Sequence, residues 1–299
     1  MLSYLHGFHA GNHADILKHS VLFYVLEYLN KKNKPYSFVD THAGSGIYSL
    51  DSEESLKTGE ASRGILKLMS ASNIPQELIP YVNFVKECLS RKFYPGSPCF
   101  ESLKALEGSK VFLSELHPGE FSKLSENISF LGSDVSSSVS VLNSSGWDFL
   151  KKNIPPVLKR GAVLCDPSYE EISDYHNAGK LLSEVHKKWS GATILLWYPL
   201  LANKTDEIEN MKQEILSCVK NRDFHTEVLD AQLCIDLEDS HTETSLKEAI
   251  GSAKPRLYGS GMFIVNPSWG LDEYLNKILP YLKDLLGNEG NGSYSVSFL

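Results

Sequence analysis

The sequence predicts an α/β fold with a mostly parallel sheet and an antiparallel C-terminal edge, and two observations carry that prediction. Short apolar runs at Tyr36 to Val39, Val111 to Leu113, Val139 to Leu142, Ala162 to Cys165 and Thr193 to Trp197 alternate with longer helical patterns. That alternation marks βαβ units, whose crossovers make neighbouring strands parallel. Near the C-terminus, Arg256-Leu-Tyr-Gly-Ser-Gly-Met-Phe-Ile-Val265 reads as a hairpin or edge strand stopped by Asn266-Pro267, which supplies the antiparallel end.

A chain of 299 residues is long enough for about two domains of roughly 150 residues, or for one α/β domain carrying an insertion. Its apolar fraction of 42% and charged fraction of 22% are ordinary globular usage and disfavour disorder, collagen-like repeats and coiled coil. With 29 basic and 37 acidic residues the net charge is −8, so a nucleic acid has to be held by a local basic surface. The apolar run Ala192 to Leu201 is well short of the roughly 18 to 20 residues a membrane helix needs. The opening Met1-Leu-Ser-Tyr-Leu-His6 has neither a basic leader nor a cleavage-site pattern, and the expectation is a cytoplasmic protein. Five cysteines, with no Cys-x-x-Cys pair, read as reduced core thiols rather than a disulfide framework or zinc knuckle.

The first helix is expected from about Asn12, as N-cap, to Asn30, with Asp15 in its first turn. Leu17, Val21, Tyr24, Val25 and Tyr28 make one apolar flank and Leu22, Leu26 and Leu29 another, so this helix should lie between layers. The strand Tyr36-Ser-Phe-Val39 follows, and then Asp40-Thr-His-Ala-Gly44-Ser-Gly46. Glycines in such a strand-to-helix turn let backbone approach a ligand closely. The spacing is not the dinucleotide Gly-x-Gly-x-x-Gly, because Ser49 takes the third position. The acidic-residue, Gly-x-Gly form resembles the first motif of S-adenosylmethionine (SAM) dependent methyltransferases, a resemblance that implies a Rossmann-like sheet; a tight, ligand-free turn is the competing reading.

In such folds an acidic residue at the end of the next strand takes ribose hydroxyls roughly 20 residues on. The candidate, Glu115, stands at the end of Val111-Phe-Leu-Ser-Glu115, much further from Asp40. The excess implies an insertion, which gives residues 1–50 as the N-terminal motif and first part of the core, 51–100 as a small helical subdomain and 101–285 as the rest of the core. Helical patterns at Ile65, Leu66, Leu68 and Met69 and at Leu78, Val82, Val85 and Leu89 fill the insertion, and Tyr94-Pro-Gly-Ser97-Pro98 returns the chain toward the pocket. Residues 286–299, with the run Gly287-Asn-Glu-Gly-Asn-Gly-Ser293, are expected to be a loose tail.

The strand Gly161-Ala-Val-Leu-Cys165 ends in Asp166-Pro167-Ser168-Tyr169, similar to the [D/N/S]-P-P-[Y/F] signature of amino-methyltransferases. An exocyclic amine is conjugated into its ring and is a poor nucleophile until two acceptors hold it against the methyl donor. Asp166 and the carbonyl of Pro167 are the candidate acceptors, Asp166 also takes the proton that the amine loses, and Tyr169 is the candidate stacking platform for a flipped base. A surface turn is the bland alternative for Asp-Pro, and the order of the two motifs, each at a strand end of one sheet, favours the chemical one.

The opening Met1-Leu-Ser-Tyr4, Phe8-His-Ala-Gly-Asn-His-Ala-Asp15 with Leu17-Lys18-His19, Asp40-Thr-His-Ala-Gly44, Ser114-Glu-Leu-His-Pro118, Leu196-Trp-Tyr-Pro199 and Gly259-Ser-Gly-Met262 together resemble the RlmJ (YhiR) family of ribosomal RNA adenine-N6 methyltransferases. The resemblance implies SAM as methyl donor with S-adenosylhomocysteine as product, a Rossmann-like core with an inserted helical subdomain, and an adenine of protein-free 23S rRNA as substrate; no metal is expected, and a monomer is the default because nothing in the sequence resembles a dimerisation seam. It puts His19, His42, Ser97 and Glu115 at the cofactor, Asp166 at the catalytic position and Tyr4 near the substrate and cofactor pocket. With Gly44 and Gly46 of the glycine turn and with Ser145, Gly146 and Asp166, the first four make the expected cofactor-binding set, and Tyr4, Pro167 and Tyr169 make the expected substrate-binding set. Two departures stand out: Ser168 replaces the second proline, and Ser145-Gly146 replaces an Asp-Gly pair at the adenine end of the cofactor, where a hydroxyl bonds more weakly than a carboxylate. A basic residue common in the family at position 5 is Leu5 here.

His6, His9, His13, His19 and His42 cluster early in the chain, and the i,i+4 pair His9 and His13 lacks a third ligand at metal spacing; pocket-shaping or structural roles account for them. Lys18, Lys31, Lys32, Lys34, Lys57, Arg63, Arg91 and Lys92 are candidates for RNA phosphates or a solvated face. Rival functions are a DNA adenine methyltransferase, a non-catalytic RNA-binding or assembly factor of the same fold, and an NAD-linked oxidoreductase, the last disfavoured by the missing third glycine.

Overall fold

A computed structural model of the chain describes residues 5–132, 139–236, 257–288 and 290–299. The strands are β1 (Ser37–Asp40), β2 (Ile47–Tyr48), β3 (Tyr94–Pro95), β4 (Lys110–Glu115), β5 (Val139–Asn143), β6 (Gly161–Cys165), β7 (Thr193–Leu200), β8 (Val228–Cys234), β9 (Gly259–Val265) and β10 (Ser293–Phe298). Eight of them form one sheet in the order β10-β8-β9-β7-β6-β1-β4-β5, and β2 pairs with β3 apart from it. β5, β4, β1, β6 and β7 run parallel, and β9, β8 and β10 add an antiparallel edge. The chain works outward from β1 to β4 and β5, then returns to β6 on the other side of β1. The strand order therefore reverses between β1 and β6, and a crevice opens beyond their carboxyl ends, where ligands bind in open α/β sheets. Asp40 ends β1 and Asp166 follows β6, so both motifs stand at that crevice.

Helix α1 (His13–Asn30) is capped by the Asn12 side chain, which accepts from the Asp15 N–H at 2.9 Å. It is buried on nearly every side because it lies between the sheet and the inserted helices, as its double apolar flank requires. Ile16, Leu22 and Leu26 share a core with Phe38 and Leu164 of the sheet and with Ile65, Leu68, Tyr81 and Val85 of the insertion. The insertion folds as α2 (Glu53–Thr58), α3 (Glu60–Arg63), α4 (Ile65–Ser70) and α5 (Ile79–Ser90), and β3 leads into α6 (Ser97–Lys104). The opposite sheet face is covered by α8 (Gly146–Asn153), α9 (Ile172–Lys188) and α10 (Thr205–Arg222), packed on Val163, Cys165, Ile194 and Leu196. Helix α7 (Pro118–Phe130) follows β4, and α11 (Leu271–Leu286) packs on the antiparallel edge.

Two expectations are corrected. The C-terminal apolar run is no edge strand: β9 lies between β7 and β8 with all seven residues buried, and its unbroken apolar character reflects cover on both faces. Nor is the tail loose throughout. Ser293 to Phe298 pair in register with Cys234 to Leu229, because β8 would otherwise present an unpaired backbone edge. Arg256, at the start of the run, lies outside the described residues. All five cysteines are free thiols, three of them buried.

Candidate active site

The glycine turn after β1 is built around two carboxylates. Asp40 is fully buried and accepts from the His42 N–H at 3.0 Å and from Ser97 Oγ at 2.7 Å. Burial pushes its carboxyl up to about 6, against the pull of those two donors. Glu115, at the end of β4, accepts from the Gly44 N–H at 2.8 Å and the His117 N–H at 2.6 Å. Burial raises its carboxyl too, against the pull of the two backbone donors. Gly44 has a φ of +58°, and a Cβ there would lie 2.5 Å from the Tyr48 hydroxyl, so glycine is required on both counts.

Helix α8 starts hard against this turn. A Cβ on Gly146 would lie 2.1 Å from the carbonyl oxygen of Thr41. The close approach brings Trp147 edge-on to His42, with ring centroids 4.7 Å apart. Burial drives the His42 imidazole down to about 3, so the ring is neutral. His42, Gly44, Ser97, Glu115, Ser145, Gly146, Asp166 and Pro167 all line one cavity of about 280 Å³.

A second cavity of about 360 Å³ adjoins it, lined by His9, Asn12, His13, Asp15, Glu60 and Arg63 from the N-terminal segment and the insertion, and by Tyr169, Trp197 and Pro199 from the sheet. His6, Lys18, Asp166, Ser168 and Trp197 border both cavities. Asp166 thus stands where they meet. Its Oδ2 is 2.5 Å from Lys18 Nζ, and Lys18 is also 3.1 Å from Asp15 Oδ1. Asp15, buried, accepts from the Gly11 N–H at 2.8 Å and lies 3.1 Å from His6 Nε2. Burial favours the protonated form of Asp15, but the charges of His6 and Lys18 hold it well below the usual carboxylate range. The inserted helices hold the wall of this cavity: Glu60 meets His9 Nδ1 at 2.9 Å and accepts from Asn12 Nδ2 at 2.9 Å, while Thr58 Oγ1 donates to the Phe8 carbonyl at 2.6 Å.

The expected site residues do not all converge. His19 and Gly46 line neither cavity. His19 is buried behind Asp15, with Nδ1 3.3 Å from the Tyr94 hydroxyl, and burial brings its imidazole down to about 3. Gly46, at φ +73°, makes the turn that packs on Leu124 and Pro98. Tyr169 borders the larger cavity, but its ring packs on Tyr175 and its hydroxyl donates to the Trp197 carbonyl at 2.8 Å. Its φ of +54° turns the chain sharply after Ser168. Tyr4 lies outside the described residues. Lys18 is buried at the junction rather than offered to phosphate, and its place in the site, like those of Asp15 and Trp197, was not read from sequence. The signal was available: a helix apolar on both flanks that carries Asp15 and Lys18 must pair them internally.

The chain matches a family model described as "Ribosomal RNA large subunit methyltransferase D, RlmJ" over residues 33–299. It is 34% identical over 302 residues to "Ribosomal RNA large subunit methyltransferase J" of Escherichia coli K12, covering 100% of this chain and 99% of that protein. The protein of the same description from Haemophilus influenzae is 33% identical over 303 residues, with the same coverage. The crystal structure of protein LPL1258 from Legionella pneumophila superposes with a TM-score of 0.80 at 26% identity, covering 97% of this chain and 98% of that one. Full-length similarity at this level, on a sheet whose two motif loops meet at one crevice, shows that the chain belongs to the RlmJ family of ribosomal RNA large subunit methyltransferases.

Proposed function

We propose that this protein transfers a methyl group from SAM to the exocyclic N6 of an adenine in 23S rRNA. The observation that carries the reading is the position of Asp166 at the junction of two cavities, with one side shaped for a cofactor and the other open to a base. The smaller cavity fits SAM by its donor set. Glu115 has its two oxygens fixed by backbone N–H groups, which orients their remaining lone pairs for a ribose diol. Gly44 and Gly146 let the turn after β1 close on Tyr48 and the start of α8 close on Thr41, which brings the cavity walls together, and Ser145 offers a hydroxyl beside His42 and Trp147 at the adenine end. SAM, when bound, supplies an electrophilic methyl group.

The chain's own residues then act on the amine. Asp166 and the carbonyl of Pro167 accept its two N–H groups, which fixes the nitrogen lone pair along the line of attack. As the N–C bond forms, the amine becomes acidic, and Asp166 takes the proton it sheds. Lys18, 2.5 Å from Oδ2, holds the carboxylate in place without occupying Oδ1. Trp197 and Tyr169 wall the larger cavity, where a base leaving its stack is received. In this reading the RNA is free of ribosomal proteins, because the adenine must leave its stack. A single chain in the cytoplasm supplies every group named. No helix among the described residues is long and apolar enough to cross a membrane.

The test is nucleoside mass spectrometry of unmodified, deproteinised 23S rRNA incubated with SAM and either wild type or Asp166→Ala, with duplex DNA in parallel. N6-methyladenosine is expected only in rRNA and only with wild type. Methylation of duplex DNA alone would make the protein a DNA enzyme; SAM binding with no methylated nucleoside would favour an assembly factor.

A further inference from the structure

Glu101 is fully buried in α6, and neither oxygen of its carboxyl has a hydrogen-bond partner among the described residues. A buried carboxylate without donors is too costly to keep ionised. Its place in the helix says what it meets. Ser97 and Glu101 are one turn apart on the same face, and Ser97 Oγ donates to Asp40 Oδ2 at 2.7 Å, so that face turns Glu101 onto Asp40. Asp40 is itself fully buried, and its neighbours Thr41, His42 and Ser97 line the smaller cavity. Two carboxylates only accept hydrogen bonds, and two adjacent buried negative charges cannot both persist. The other charged groups facing the pair are Lys18 from α1 and Asp166 from the loop after β6; the His42 ring is neutral.

We propose that Glu101 is a carboxylic acid in the working protein, that it donates its proton in a hydrogen bond to Asp40, and that the pair forms an acidic floor carrying one negative charge, which favours a cationic occupant of the cofactor cavity over a neutral one. This rests on the assignment of that cavity to SAM. The substrate SAM carries a sulfonium charge that the product S-adenosylhomocysteine lacks, so the floor favours exchange of product for fresh donor. Glu101 is a positioning residue: it acts through Asp40, which holds the Ser97 hydroxyl and the His42 backbone in the cavity wall.

The charge of the floor is carried by Asp40 and has a pH signature. Burial, partly offset by Ser97 and His42, raises Asp40 to about 6. Below that pH the floor takes a second proton and becomes neutral, and a cation that binds there must displace it. SAM affinity therefore falls with pH across this window, while product affinity stays level.

Infrared spectroscopy of the full chain at neutral pH tests the proton directly. The carbonyl band of a buried carboxylic acid is expected in wild type and in Asp166→Asn, and absent in Glu101→Gln. Calorimetric titration with SAM and with S-adenosylhomocysteine, one pH unit above and one below about 6, tests the floor. SAM affinity is expected to drop about tenfold on the acid side while product affinity changes less than about twofold. Glu101→Gln, which keeps a donor toward Asp40, is expected to retain SAM affinity within about twofold at the higher pH, whereas Glu101→Leu loses about tenfold. Absence of the acid band from wild type, its survival in Glu101→Gln, or equal pH responses of the two ligands would each overturn the proposal. If wild type binds no SAM at either pH, the cofactor assignment fails, and the infrared band still decides the state of Glu101.

Discussion

Lys18 joins α1 to the loop after β6 by touching Asp15 and Asp166 at once. Lys18→Met removes the ammonium but keeps most of the apolar stem, leaving Asp15 buried with less compensation. Breaking a buried pair in this way costs on the order of 3 kcal/mol, so the urea midpoint should fall sharply and methyl transfer with it. An unchanged midpoint would mean that water replaces the ammonium. Asp166→Ala, in contrast, removes a group that is partly open to the cavities. We expect a rate loss of about 100-fold or more with SAM affinity nearly retained, read from single-turnover transfer and calorimetry; loss of affinity in step with rate would make Asp166 a cofactor ligand first. Asp166, Glu115 and Gly44 were legible because each belongs to a short motif at a strand end, where a few neighbouring residues determine position. Lys18 was not, since its partner lies 148 residues away. The same applies to Tyr169, whose motif suggests a free stacking face but whose hydroxyl is claimed by the distant Trp197 carbonyl.

At the scale of elements, the smaller cavity depends on how closely α8 approaches the turn after β1. Gly146→Ala places a methyl 2.1 Å from the Thr41 carbonyl oxygen and 2.5 Å from its Cβ. Backbone on both sides leaves no flexible side chain to yield, so the two segments must separate. Overpacking of this kind costs about 1 to 3 kcal/mol. The expected result is a lowered urea midpoint together with weaker SAM binding; a stable variant with normal SAM affinity would show that this approach does not shape the cavity. The β10 strand makes a second test. Deleting residues 293–299 exposes the backbone edge of β8 and should promote self-association as well as lower the melting temperature, which light scattering at increasing concentration would show. Element order and the parallel block were legible from periodicity. The β10 strand was hidden because its alternation, Ser293-Tyr-Ser-Val-Ser-Phe298, faces largely solvent, and its stability comes from pairing with β8 rather than from its own apolar residues.

Considered whole, the molecule sets an acidic surface against a polyanionic substrate. A net charge of −8 provides no long-range attraction for RNA, so binding has to come from a few cations placed locally. Sequence alone could not say which of the candidate basic residues those were, because only the folded chain brings the insertion beside the β6 loop. The structure separates them: Lys18 is consumed by carboxylates, whereas Arg63, on α3, is exposed and borders the larger cavity, with Nη2 held 3.0 Å from the Thr58 carbonyl. For single-stranded RNA, each phosphate contact contributes about −0.7 to the slope of log affinity against log salt. Arg63→Gln should therefore weaken RNA binding at low salt, flatten that slope by about one contact, and leave SAM affinity unchanged. Filter binding of the target rRNA fragment across a salt series, with SAM calorimetry at the two extremes, separates these effects. A slope identical to wild type would place the RNA path on another face of the molecule, whereas a parallel loss of SAM binding would mean that Arg63 supports the cavity wall rather than the RNA.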